Sequence, residues 1–130
     1  MKTILFVCTE NAGRSQLAEA VFNSMAPASW QATSAGTRPA TRVYPNTVEV
    51  LRETGMNIEK NGPRLLTPQL VAGANIVITM GCGDEGCPIL PVDSQNWDLP
   101  DLKGKSIEDF RELRNLITVK CERLLREIES

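Results

Sequence analysis

The chain has 130 residues, 14 lysines and arginines against 16 acidic residues, a net charge of −2, four cysteines and no histidine. That length can bury one core without staples, so a single domain over residues 1–130 is expected. Interspersed, nearly balanced charge speaks against a nucleic-acid partner, and the absence of a long apolar run or a basic-then-apolar leader makes a cytoplasmic protein without a membrane segment the expectation.

Residues 3–7 are continuously apolar, as a central parallel strand buried on both faces would be. The next stretch is Cys8-Thr9-Glu10-Asn11-Ala12-Gly13-Arg14-Ser15. From Ser15 to Met25 a helical pattern follows, with Leu17, Val21 and Met25 four apart and Ala18 and Phe22 beside them. A strand, a tight loop carrying one thiol and one guanidinium, and a helix start together describe an oxyanion site with a nucleophile inside it. Successive N–H groups of residues 9–15 can converge on one centre, Arg14 can grip the same anion, and the helix dipole adds its positive end there. Such a field favours thiolate over thiol at Cys8. With no histidine in the chain, activation must come from the loop and the helix, and any general acid must be a carboxylate.

Trp30 to Ala35 alternates as a second strand and stops at Gly36. Arg38 to Arg42 reads as a loop whose two arginines are ordinary solvated charges or help attract an anion. Pro45 opens a helix with Val48 and Leu51 on its buried edge, and Gly55 ends it. Asn57 to Pro63 is turn-rich. Thr67 caps a short helix running to Ala74. Residues 76–80 form a third central strand, and residues 81–105 are the least regular part. Ser106 to Asp109 starts the last helix, whose stripe is Phe110, Leu113, Ile117, Cys121, Leu124 and Ile128. Strands separated by helices imply an α/β fold, an open sheet of about four parallel strands flanked by helices. Ligands bind beyond the carboxyl ends of such strands, which puts Cys8 and Gly81-Cys82 on one edge.

Two cysteines, Cys82 and Cys87, lie five apart in a glycine-rich stretch. Zinc would need two further ligands, and Cys8 and Cys121 are not placed to supply them. Inert thiols or a redox pair remain. A disulfide needs Cα atoms at roughly 4.4–6.8 Å, so the stretch must fold back, and Gly83 and Gly86 allow it. Cys121 keeps the apolar register of its helix and reads as a core residue.

The Cys8–Ser15 segment resembles the low-molecular-weight tyrosine phosphatase superfamily, and Asn11, Arg14-Ser15-Gln16 and Glu19 resemble its arsenate reductase branch. The resemblance extends over nearly the whole chain. It implies reduction of arsenate to arsenite, with Cys8 as nucleophile and Thr9 through Ser15 (Glu10, Asn11, Ala12, Gly13 and Arg14 between them) as the substrate-binding loop. Asn11 would hold the loop and Ser15 would donate to the Cys8 thiolate. Cys82 would resolve Cys8 and Cys87 would resolve Cys82, at a shorter spacing than in thioredoxin-coupled members. Trp97-Asp98-Leu99-Pro100-Asp101 matches the segment bearing the family's acid, which selects Asp101, with Asp98 second because Leu102 replaces the usual proline. The implied partners are arsenate, with phosphate or sulfate as competitors, and thioredoxin or another thiol reductant; no cofactor is implied and a monomer is expected. Some members bind potassium near residues matching Asn11, Glu19 and Ser34, but Arg64 stands in place of an aspartate, so no metal is expected. Two rivals remain: a phosphatase using the same Cys8, and a non-catalytic oxyanion-binding or redox-sensing module.

Overall fold

A computed structural model describes residues 1–58, 62–81 and 94–129. Its strands are β1 (Lys2–Cys8), β2 (Trp30–Gly36), β3 (Ile76–Thr79) and β4 (Ser94–Asn96). Its helices are α1 (Arg14–Met25), α2 (Pro45–Arg52), α3 (Pro68–Ala72) and α4 (Ile107–Glu129). The strands form one parallel sheet in the order β2-β1-β3-β4.

The apolar run of β1 is explained by burial on both faces. Ile4, Phe6 and Cys8 point into a core shared with α1, α2 and α4, while Leu5 and Val7 point into a smaller one with Val71, Ala74 and Val77. Removing a side chain such as Phe6 from water contributes about 1.5–3 kcal/mol, and Phe6 also packs against Phe22 and Trp97 with ring centroids at 6.3 and 5.5 Å. These contacts lock α1 and the segment carrying Trp97 to the central strand. The functional consequence is that the loop after β1 has a rigid base.

The expected elements are present with small shifts of their ends. α3 stops at Ala72 rather than Ala74, and Thr67 caps it by accepting the Leu70 N–H at 3.2 Å. α2 buries Thr47, Val50 and Leu51, whereas Val48 is only half-buried. The last-helix stripe is buried apart from half-buried Ile128, and Leu125 joins it. No helix among the described residues is long and apolar enough to cross a membrane.

Candidate functional site

The loop after Cys8 is shaped from outside by the segment that follows β2. Carbonyls of Cys8, Thr9 and Glu10 accept N–H groups of Thr37, Arg38 and Ala40 at 3.1, 2.8 and 2.9 Å. The Ala12 carbonyl accepts the Tyr44 N–H at 3.1 Å and the Thr47 hydroxyl at 2.8 Å. With their carbonyls taken outward, the peptide units turn their N–H groups inward. Asn11 makes the turn with φ of 53°, the left-handed region that asparagine tolerates better than most side chains. Gly36 lies so close beneath that a methyl there would sit 2.5 Å from the Thr9 carbonyl oxygen.

At the loop's centre, Cys8 Sγ lies 2.8 Å from Ser15 Oγ and accepts the Asn11 N–H at 3.3 Å. Asn11 Nδ2 donates to Ser15 Oγ at 2.7 Å. Because that lone pair is occupied by a donor, the serine's own proton is free to point at the sulfur. Asn11 Oδ1 in turn accepts from the Arg64 N–H at 3.0 Å and from Gln16 Nε2 at 3.3 Å. The result is a directed chain, Arg64 and Gln16 to Asn11 to Ser15 to Cys8, which prepares the sulfur to carry negative charge. Leu17 N–H makes the first backbone bond of α1, to the Gly13 carbonyl at 2.9 Å, so the N–H groups of Arg14, Ser15 and Gln16 have no carbonyl within the helix and face the same region.

Arg14 is buried and spans from this loop to two other parts of the fold. Its Nη1 donates to the carbonyls of Met80, just past β3, and Leu99, at 3.1 Å for the latter. Its Nη2 lies 4.0 Å from Asp101 Oδ1, and Asp101 is well exposed. Gly81, with φ of 90°, fits against the guanidinium, since a methyl there would stand 2.5 Å from Nη1. The carboxyl ends of β1 and β3 and the Leu99–Asp101 segment therefore meet at one arginine.

A model of the low molecular weight phosphotyrosine protein phosphatase family matches residues 3–130. The chain belongs to that family. It is 33% identical over 124 residues to arsenate reductase 2 of Staphylococcus epidermidis, covering 93% of this chain and 94% of the relative. Among solved structures it is similar to a thioredoxin-dependent arsenate reductase of Corynebacterium glutamicum, at 35% identity and a TM-score of 0.84. That match covers 99% of this chain and 62% of the other. An arsenate reductase of Archaeoglobus fulgidus matches at 31% identity and a TM-score of 0.80, over 94% of this chain and 98% of that one.

In this family member, Cys8, Thr9, Glu10, Asn11, Ala12, Gly13, Arg14, Ser15 and Asp101 come together, while Asp98 is exposed three residues before Asp101. Cys82 and Cys87 lie outside the described residues. Cys121 is fully buried in the α4 stripe, and burial, with a smaller contribution from Glu122, pushes its thiol up to about 12. Near the loop, Ser34 Oγ donates to buried Glu19 at 3.0 Å. Burial raises the Glu19 carboxyl, opposed by the Ser34 hydrogen bond and then by the Arg64 charge. Among the described residues no cluster of three cysteine or acidic side chains is placed to hold a metal.

Two residues near the loop, Tyr44 and Lys103, were missed by sequence reasoning, and Gln16 was named there only as part of the resemblance, without a role. Gln16 is buried and grips the Asn11 side chain and carbonyl, at 3.3 and 3.2 Å. Tyr44 donates its hydroxyl to Glu10, and Lys103 pairs with the same carboxylate at 3.2 Å. Gln16 had a faint signal, since it follows Ser15 in the first turn of α1. Tyr44 and Lys103 had none, because they are 34 and 93 residues from Glu10.

Proposed function

We propose that this protein reduces arsenate to arsenite, using Cys8 as nucleophile and Cys82 and Cys87 as successive resolving thiols. Arsenate, a tetrahedral dianion, binds in the cradle of residues 9–15 with Arg14 on its equatorial oxygens. The Cys8 thiolate attacks arsenic and an As–O bond breaks. Asp101 gives its proton to the departing oxygen, which leaves as water, and the product is a Cys8–arsenic(V) adduct. Cys82 as thiolate then attacks Cys8 Sγ. The new S–S bond forms as the S–As bond breaks, its electron pair stays on arsenic, and arsenite departs as arsenic(III). Cys87 attacks Cys82, Cys8 leaves as thiolate, and a dithiol protein of the thioredoxin type reduces the Cys82–Cys87 disulfide.

The observation that favours a reductase is the position of Gly81. It lies against Arg14 at the anion cradle and immediately precedes Cys82 in the chain. The sequence adjacency of Cys82 to this glycine supports a resolving role for its thiol. The relatives named arsenate reductase support the same reading. The family's own description keeps phosphomonoester hydrolysis as the second reading, because the same loop and Asp101 serve both chemistries up to the covalent intermediate.

Arsenate turnover with thioredoxin and its reductase, run beside aryl phosphate hydrolysis, separates the two. Cys8→Ser abolishes both activities. Cys82→Ser abolishes multiple-turnover reduction and spares any hydrolysis, since water can still open a phosphocysteine. Cys87→Ser gives one turnover and stalls with Cys8 bridged to Cys82 in non-reducing peptide maps. Reduction at the wild-type rate by Cys82→Ser would remove the relay.

A further inference from the structure

Glu10 puts a carboxylate into a loop built to hold a dianion, and nothing in the proposed chemistry uses it. The structure shows both of its oxygens engaged. Oε2 accepts the Tyr44 hydroxyl and Oε1 accepts Lys103 Nζ at 3.2 Å. Tyr44 is held in place by its own packing: its ring meets Phe110 edge-on at 6.3 Å, and a methyl built at Gly13 would lie 3.3 Å from it. The other end matters more. The Lys103 backbone N–H donates to Asp101 Oδ1 at 3.1 Å. One residue therefore holds the acid's carboxylate with its backbone and the nucleophile's loop with its side chain.

From this geometry we infer that Tyr44, Glu10 and Lys103 form a clasp that positions Asp101 over the oxyanion cradle for proton transfer. The inference rests on the arsenate-reductase reading and names positioning residues for it. Asp101 is 63% exposed, and its only other tie to the cradle among the described contacts is the 4.0 Å approach to Arg14, so its place depends on the segment that carries it. An exposed ion pair contributes little to folding. Its value here is geometric, because a proton donor must come within hydrogen-bond reach of the leaving oxygen and small misplacements slow the step many-fold. Engaging Glu10 on both oxygens also turns its charge away from the incoming anion.

The test uses arsenate turnover at saturating thioredoxin, with kcat and KM measured separately. Glu10→Gln breaks the charged link to Lys103 yet removes a negative charge from the cradle. KM for arsenate is therefore expected to stay level or fall, while kcat falls about tenfold, a fraction of what a general acid contributes. Lys103→Met lowers kcat likewise and Lys103→Arg restores most of it, which controls for folding. Asp101→Asn lowers kcat further. Adding Glu10→Gln or Lys103→Met to Asp101→Asn costs nothing more, because a clasp acts only through the acid it positions. Unchanged kcat in Glu10→Gln, or losses that multiply in the double variants, would overturn the clasp while leaving the reductase intact. A wild-type protein that turns over no arsenate would overturn the underlying reading, and the clasp with it.

Discussion

Gly81→Ala tests whether Arg14 is fixed where the fold places it. Two costs follow from the structure. The first is backbone strain, since φ is 90° at this position and an L side chain in the left-handed region costs about 1–2 kcal/mol. The second is steric: the new methyl would lie 2.5 Å from Arg14 Nη1. The guanidinium must withdraw from the Met80 and Leu99 carbonyls, and hydrogen bonds from a charged group are worth about 1.5–3 kcal/mol. With one of these bonds lost outright and the other kept in a shifted geometry, the sum is about 2.5–5 kcal/mol, or a melting temperature lower by roughly 10–20 °C. Gly55→Ala is the control. Its φ is 83° and a methyl there meets nothing within 4 Å, so it reports strain alone, about 1–2 kcal/mol. Thermal unfolding of the two variants gives the difference. Phosphate protection of Cys8 against alkylation then shows whether the displaced arginine still binds an anion, and about tenfold weaker protection is expected for each 1.4 kcal/mol of lost grip. Equal destabilisation of the two variants, with protection retained in Gly81→Ala, would refute the arrangement.

Two further outcomes are expected. In peptide-resolved alkylation of the folded protein at neutral pH, Cys8 reacts and phosphate or sulfate slows it, Arg14→Lys loses much of that protection, and Cys121, raised to about 12 by burial, reacts only after unfolding. Glu53 is held down to about 2 by hydrogen bonds from Arg111 and then Arg114, so its ionised form stabilises the fold above the ordinary carboxyl value near 4.5. That contribution fades as pH falls from there towards 2, and the stability gap between wild type and Glu53→Gln is expected to be constant above pH 5 and to close below it.

Much of this was written in local pattern. The doubly buried β1, the stripe of α4 and the C-x5-R loop each follow from residues within one element, where burial and period speak directly. β4 was not legible. Ser94, Gln95 and Asn96 are all exposed and polar, and the strand exists because its backbone pairs with Val77, Ile78 and Thr79. Side-chain pattern carries no trace of that. The Glu10 clasp was hidden for a related reason: a carboxylate in an anion loop looks like a misfit until Tyr44 and Lys103, distant in sequence, arrive beside it. Arg14 was expected to hold only an anion. Its anchoring by two carbonyls depends on β3 and on the Leu99 segment reaching the same place.

That anchoring bears on which reaction the loop performs. Up to the covalent intermediate, a phosphatase and an arsenate reductase ask the same of Cys8, Arg14 and Asp101. They part afterwards, when water attacks the central atom or a thiol attacks the sulfur. The hydrogen bonds from Ser15 and the Asn11 N–H do not choose between these, because they hold Cys8 Sγ as either a leaving group or an electrophile. The choice falls to whatever the chain brings to the sulfur, and the residue at that edge is Gly81, pressed on Arg14 with a cysteine next in line. Arsenic(V) adds a chemical bias, since it accepts the electron pair of a breaking S–As bond and phosphorus(V) does not. A thiol that reached the sulfur would turn an arsenate adduct into a redox step and leave a phosphate adduct to water. On the proposed reading, one loop starts both chemistries, and assays of phosphoester hydrolysis and arsenate reduction in Cys82→Ser and Cys87→Ser separate them.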